Sequence, residues 1–477
     1  MSKNIAATLV CGVVVVAPLP FGSAQPFWGA IWCALLGLAL LLAPSTTLER
    51  GQRTAVRLVF VAVGAWCFLV ALQYIPLASV LPAGRWWNEV APLLDSKLVT
   101  PKVAAYGEIP IFAIVPPLAL TMALLSGIIF GSEPGFAKRI YGWVGGAGLI
   151  YAGYAVFAGV TDPGMLLWRQ KTAYVDSITG TFVNHNTAAT FFGCVAVIWY
   201  VRFLRDLSRR VNFNRGRDLG YIVTKVVNLP RQEMVSLLAV LFLLGTTFMT
   251  RSRAGSLLTI GVLGCITMLY VYREIRAARG LLVLSVLTLA VGVVAVNTVG
   301  DRFIHEIEIR GTTDTARVEG WLSTLAIIRD HPWFGVGLGT FETVFPAYRV
   351  PAGGVWGVWD HAHSTPLELM AEMGIPFGLL ILTLWVIMLA VLVQASAKGA
   401  QGRSLATAGV GIGLLGTLHS LVDFSLQIPG FSIVCCALMG ASLAGTLASK
   451  VSKKVPLPLT ANDDIAGFAP GIRAAHE

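Results

Sequence analysis

What most limits the fold of this chain is the recurrence of apolar runs long enough to cross a bilayer. About twelve can be marked, at 5–20, 27–43, 58–75, 109–130, 140–160, 186–204, 234–250, 254–272, 280–299, 370–394, 404–422 and 431–448. In lipid a backbone must satisfy its own hydrogen bonds, and a helix does so within each run. The pattern therefore predicts an all-α polytopic membrane protein with about 12 transmembrane helices. Composition agrees: 56% of the 477 residues are hydrophobic and only 13% are charged, with a mean hydropathy of +0.73. Such values exclude a soluble globular protein of this size.

The organisation expected is an N-terminal bundle at 1–299 with about nine spans, a long polar loop at 300–369, C-terminal spans at 370–448 and a tail at 449–477. The first run follows Lys3 as in a signal peptide, but Pro18 and Pro20 follow it without a clear cleavage site, so a retained span is expected. The net charge of +10 invites a nucleic-acid reading, and the location of the charge argues against it. Alternating the spans puts 23 of the 35 Lys and Arg on one side and 12 on the other, the asymmetry of a membrane topology with both termini in the cytoplasm. The largest basic loop then meets anionic lipid headgroups. The seven cysteines fall within apolar runs without a CxxC, and are expected to be small buried hydrophobes.

The segments facing the other side are 76–108, 161–185, 251–253, 300–369 and 423–430. They hold His185, His305, His331, His361 and His363, and His419 ends the span before the last of them. Histidine is the side chain suited to moving protons near neutral pH, so its gathering on one face marks where chemistry is expected. In HAHSTPLELMAEMG, Thr365, Pro366 and Glu368 have the spacing of a capping box and place His363 just outside a helix N-terminus. The helix dipole disfavours imidazolium there, which suits His363 to accept a proton, with His361 as a second candidate.

Arg251 and Arg253 flank a link too short to be a domain, on the side where basic residues are scarce. Snorkelling to headgroups is one reading, and an anion site, for which the guanidinium fork suits phosphate, is the sharper one. Arg317 lies in the first turn of a helix expected from Asp314 to His331, where a cation opposes the dipole. Val318, Trp321, Leu322, Leu325 and Ile328 are expected to pack that helix against the bundle. Asn184, His185 and Asn186 sit at the mouth of a span, either contacting hydroxyls or, for Asn186, capping the helix. His419 and Asp423, in HSLVDF, and Glu368 are supporting candidates, with Asp423 orienting a histidine or pairing with an arginine. GVGLGTF at 335–341 lacks the strand and the Lys-Ser of a phosphate loop and reads as a tight turn that admits a neighbouring backbone. Asp360, His361 and His363 could present a zinc-like set if extended, but no second ligand pair and no HExxH accompany them.

SRAG at Ser252–Gly255, TARVEGWLSTLAIIRDHPWFGVGLGTF, HAHSTPLELMAEMGIPFG and HSLVDFSLQIP, in this order, resemble the O-antigen ligase/polymerase superfamily of bacterial envelope proteins. The resemblance runs over roughly residues 180–430. It implies a multi-span inner-membrane bundle with a large periplasmic loop that transfers a glycan from undecaprenyl pyrophosphate to a hydroxyl. For a ligase the acceptor is lipid A core; for a polymerase it is another repeat unit. It also implies an inverting, metal-independent reaction without cofactor. His363 matches the loop base, and Arg251, Arg253 and Arg317 match the positions that engage pyrophosphate. Ser364 stands where Asn is common and His361 is an addition, so the choice between the histidines stays open. The chemistry is coherent on its own terms: a base relieves the acceptor hydroxyl of its proton, and cations neutralise the leaving group. The competing class is a lipid-linked glycan flippase or other transporter, which would place its polar residues near the midplane rather than at the outer ends of helices.

Overall fold

The computed structural model describes residues 2–43, 48–76, 86–87, 100–210, 228–274, 315–349, 357–398 and 402–448. His305, His476, Asp314, the run at 280–299, the tail at 449–477 and most of the basic loop and of 76–108 lie outside the described residues.

Helices dominate. They are α1 (Ser2–Val16), α2 (Pro26–Leu41), α3 (Arg50–Tyr74), α4 (Ile111–Gly131), α5 (Phe136–Thr161), α6 (His185–Arg210), α7 (Arg231–Met249) and α8 (Arg253–Glu274), followed by α9 (Thr315–Asp330), α10 (Phe341–Tyr348), α11 (Thr365–Met373), α12 (Ile375–Lys398), α13 (Arg403–Ser420) and α14 (Pro429–Leu447). A hairpin of β1 (Met165–Leu166) and β2 (Arg169–Gln170) interrupts the loop between α5 and α6.

Among the described residues seven helices are long and apolar enough to cross a membrane: α3, α4, α5, α6, α7, α12 and α14. Three more apolar stretches, Asn4–Val16, Pro26–Leu41 and Arg253–Leu269, are shorter. The run at 404–422 forms α13, whose buried residues are rich in glycine and alanine (Ala406, Ala408, Gly409, Gly411, Gly413, Gly416). It is built for close helix contact rather than for facing lipid.

The centre of the bundle is α6 and α14, buried along most of their length, while α3 stays at the periphery with Phe60, Val61 and Phe68 facing outward. Small residues bring α14 against α4. A methyl group added at Gly127 would fall on the Ala437 carbonyl, and one at Gly440 on the Leu124 carbonyl. Van der Waals packing between close backbones is what holds helices together where lipid removes the hydrophobic drive.

Beyond the bundle, α9, α10 and α11 pack together and join α12. GVGLGTF behaves as the tight turn its sequence predicts. Gly335 has φ +69° and a methyl group added to it would fall on the Glu372 carbonyl, while one added to Gly374, with φ +80°, would fall on that of Trp333. The loop amides of Val336 and Gly337 donate to Ala371 (2.9 Å) and Glu372 (3.1 Å), satisfying carbonyls at the end of α11. From α3, the buried Gln73 amide donates to Phe334 and Glu372 carbonyls (2.6 and 2.8 Å) and its oxygen accepts the Leu338 N–H (3.1 Å), tying the loop to the bundle.

Four expectations need correction. The run at 370–394 is broken at Gly374, so α11 spans the expected 369/370 boundary and the long helix begins at Ile375. The first helix stops at Val16 because Pro18 and Pro20 cannot continue it. Of the cysteines, all free, Cys67 and Cys265 are exposed on outward helix faces rather than buried. On α9, Val318, Leu322 and Leu325 are exposed, and the buried face is Gly320, Ser323, Thr324, Ile327 and Ile328. Gly320 opens a notch that the Trp359 ring fills, and the Thr324 hydroxyl is satisfied by the Gly320 carbonyl at 2.7 Å, so the side with the smaller residues packs more closely.

The α4–α14 crossing yields a direct test. Gly127→Val should lower stability by about 1–3 kcal/mol through overpacking, read as a lower thermal midpoint of the purified protein in detergent. Gly142→Ala, whose added methyl meets nothing within 4 Å, should leave the midpoint close to that of the parent.

Candidate functional site

At one end of the bundle the polar motifs converge on a cavity of ≈ 310 Å³. His361 and His363 line it with Asp360, Asn184 and Thr187. Phe21, Phe182, Tyr174 and Phe424 supply aromatic walls. A mixed lining of aromatic faces and a few convergent polar groups is the usual make-up of a small-molecule site.

The two histidines stand in different electrostatic settings. Thr365 and Glu368 do not form the expected capping box, because α11 begins one residue earlier in register. Ser364 is the N-cap, without a side-chain bond, and the Thr365 hydroxyl is buried without a partner. Glu368 instead reaches back past the helix start. Its carboxylate accepts the Ala362 N–H at 2.7 Å and the His361 Nδ1–H at 2.9 Å. Burial would lower the His361 pKa, but the Glu368 charge and hydrogen bond, helped by Asp360 and Glu372, lift it to about 9. His361 is therefore an imidazolium at neutral pH, stacked on Phe424 with ring centroids 4.4 Å apart.

His363 has the opposite character. Burial holds its pKa below the ordinary value; the Asp423 carboxylate opposes that shift, while Arg317 and charged His361 reinforce it. Its ring meets Trp359 and Phe424 edge-on at 5.2 and 4.9 Å, and Nδ1 is buried without a hydrogen-bond partner. The backbone is left-handed, with φ +49°, a conformation that costs a non-glycine residue about 1–3 kcal/mol and clusters at functional sites. Trp321 on α9 helps hold it there, its indole N–H donating to the His363 carbonyl at 3.2 Å. Because His363 is not extended, the one-face geometry of a zinc pair with His361 does not form, and the His361 Nδ1 is already engaged by Glu368.

Behind the cavity a buried network joins the remaining motifs. Asp423 has no solvent exposure. Its Oδ2 accepts the Asn186 amide at 2.5 Å and faces Arg317 Nη2 at 3.5 Å, and its Oδ1 accepts the Phe424 N–H at 2.7 Å. Arg317 also donates to the Val422 carbonyl at 3.2 Å. The Asn186 oxygen accepts the Ser252 hydroxyl at 2.7 Å, and that hydroxyl in turn accepts the Gly255 N–H, capping α8 between Arg251 and Arg253. Both arginines are half-buried at this helix start, and Arg251 is left-handed with φ +59°.

The sequence-predicted residues thus divide. His361, His363 and Asn184 line the cavity; Glu368 acts on it through His361. Arg317, Asn186 and Asp423 form the network next to it, and Arg251 and Arg253 flank the network's Ser252. Asn184, not Asn186, caps α6, its Oδ1 accepting the Asn186 N–H at 2.7 Å. His185 turns away to the Thr250 carbonyl at 2.8 Å and stacks on Tyr174 at 4.1 Å. His419 is fully buried and meets the Ser425 hydroxyl at 3.1 Å. His331 lies apart, its ring tilted against that of Trp86 at 4.7 Å between centroids. Sequence reasoning missed Phe21, Tyr174, Phe182, Thr187 and Phe424 as lining residues. Phe424 had a signal in its neighbour Asp423, whereas nothing local marks Tyr174.

Residues 238–383 match the family described as O-antigen ligase. The matched stretch holds Arg251, Arg253, Arg317, His361, His363 and Glu368 and supports the O-antigen ligase/polymerase superfamily. Asn184, which lines the cavity, and Asn186 and Asp423 of the adjoining network lie outside it. No curated protein matches the chain. The family suggests an O-antigen ligase- or polymerase-like activity, and the apolar helices a membrane protein.

The Glu368–His361 pair makes stability depend on pH with a defined sign. A folded-state pKa raised to about 9 from an unfolded value of about 6.5 stabilises fully below the lower value and is lost as pH rises through the upper one. The thermal midpoint of the parent should therefore fall between pH 7 and about 9, and Glu368→Gln should flatten that decline.

Proposed function

We propose that this protein is a bacterial inner-membrane glycosyltransferase that moves a glycan from undecaprenyl pyrophosphate to a hydroxyl acceptor on the periplasmic side. Both termini are assigned to the cytoplasm, and the segment at 300–369 to a periplasmic catalytic loop. The observation that carries the reading is the pairing, within one cavity wall, of an imidazole biased to neutrality, His363, with one held charged, His361.

In the reaction His363 takes the proton of the acceptor hydroxyl as its oxygen attacks the anomeric carbon. The bond from that carbon to the pyrophosphate oxygen breaks, with inversion. A neutral imidazole can accept a proton near physiological pH; an imidazolium cannot, so His361 serves as an electrostatic neighbour rather than a base. The charge that grows on the leaving oxygen is met by Arg251, Arg253 and Arg317, the first two at the N-terminus of α8, where backbone amides and dipole also favour an anion. Asp423 holds Arg317 next to this point. These arginines supply the charge compensation for which other transferases use a divalent ion, so the reaction needs neither metal nor cofactor. Lipid A core is the acceptor of a ligase, and a second lipid-linked glycan that of a polymerase.

The test is transfer by the purified protein from an undecaprenyl-pyrophosphate oligosaccharide to either acceptor. His363→Ala should reduce kcat about 10²–10⁴-fold, and His361→Asn should reduce it far less. Activity should survive EDTA. Product on lipid A core identifies a ligase; a lengthened donor identifies a polymerase. Full activity in His363→Ala, or lipid flipping without transfer, overturns the proposal.

A further inference from the structure

The chemistry of the cavity differs from that of the arginine cluster, and the difference assigns them to different parts of the substrates. Among the described residues no lysine or arginine lines the cavity, and its lining includes the Asp360 carboxylate. His361, its one imidazolium, is already neutralised by Glu368 at 2.9 Å. A pyrophosphate would find little compensation there. A sugar suits it better: the ring presents an apolar C–H face to aromatic walls and hydroxyls to Asp360, Asn184 and His363.

One wall of the cavity is also in contact with an exposed hairpin. Phe21, on its wall, is met edge-on by Trp168 at 5.1 Å, and the Arg169 guanidinium lies 4.9 Å from the centre of the same ring. Both residues belong to the tip of the β1–β2 hairpin. Trp168 fills no core, being 67% exposed, yet it is firmly placed. Leu167, next to it in the turn, has φ +55° and donates its N–H to the Tyr154 hydroxyl on α5 at 2.8 Å. Leu166 is buried, and Lys171 N–H closes the hairpin base on the Gly164 carbonyl at 2.8 Å. A strained turn anchored from below, presenting an indole flanked by exposed Arg169 and Gln170, is a pre-organised platform for a ring with polar edges.

We propose that the cavity and the hairpin tip together form an acceptor-saccharide subsite, in which Trp168 stacks on a sugar preceding the one whose hydroxyl reaches His363. The assignment rests on the transferase reading, because His363 must touch the acceptor and not the leaving group. It leaves the pyrophosphate to the arginines, Arg317 within the Asp423 network and Arg251 and Arg253 beside its Ser252.

Two measurements test it. In steady-state transfer, with the acceptor that the parent protein extends, Trp168→Ala should raise acceptor KM about tenfold, equivalent to about 1.4 kcal/mol, with kcat and donor KM unchanged; Trp168→Phe should restore most of the affinity. In equilibrium binding the probe is the free core oligosaccharide released from lipid A, compared with the glycan released from the donor lipid. At least one should bind the parent protein in detergent and bind Trp168→Ala about tenfold more weakly. An unchanged acceptor KM, a change in donor KM instead, or a defect present in vesicles and absent in detergent micelles overturns the subsite, the last identifying Trp168 as a membrane anchor. Should the parent transfer nothing, the transferase reading fails by itself. The binding arm then still decides the subsite, and equal or absent saccharide binding overturns it.

Discussion

A carboxylate without access to water must find its partners inside the protein, and Asp423 finds them on three elements. Asn186 comes from α6, Arg317 from α9, and Phe424 from its own chain beyond α13. Through Asn186 the network extends to Ser252 and the cap of α8. Removing one partner of such a buried charge typically costs about 3–5 kcal/mol. The rest of the site depends on this joint: it fixes the arginine-bearing helix start against the wall that carries Phe424, and Phe424 in turn packs on both histidines.

A second carboxylate gives those two histidines different electrostatic settings. Residues two apart in sequence would ordinarily titrate alike, and Glu368 separates them by binding only His361. His363 is left in a buried aromatic slot with no carboxylate bonded to it among the described residues, its backbone held in place by Trp321. The glycine turn at 335–341 supports this arrangement indirectly. By taking up the last carbonyls of α11 and docking on Gln73, it fixes the short helix that carries Glu368 relative to the bundle.

Much of this was legible in the residues. The apolar runs foretold most of the described helices, and the polar clusters at helix ends foretold the neighbourhood of the cavity. His363, Arg317 and Asp423 were legible because each breaks a local rule: a histidine at a helix start, a cation against the dipole, an acid beside an apolar run. Less legible was how each group would be used. Thr365 and Glu368 have the capping spacing, but the His361 imidazole and the Ala362 amide compete for the same carboxylate and win. The apolar stripe of α9 pointed to the wrong face, because a notch at Gly320 filled by Trp359 packs more closely than a row of larger side chains does. Tyr174 reaches the cavity, and Trp168 its Phe21 wall, from a loop with no periodicity to betray them.

The sequence by itself determined the medium and the element type, since long apolar runs leave a backbone no way to satisfy its hydrogen bonds in lipid except as helices. It also determined which residue types gather at one end of those helices. Only the tertiary structure decided which of two neighbouring histidines stays neutral, which asparagine caps α6 and which enters the network, and that the cavity is aromatic and free of arginine among its described lining. Those outcomes depend on contacts between residues far apart in the chain, such as Asn186 with Asp423 and Trp168 with Phe21. Burial and charge at a site are sums over such neighbours, and local spacing carries no record of them.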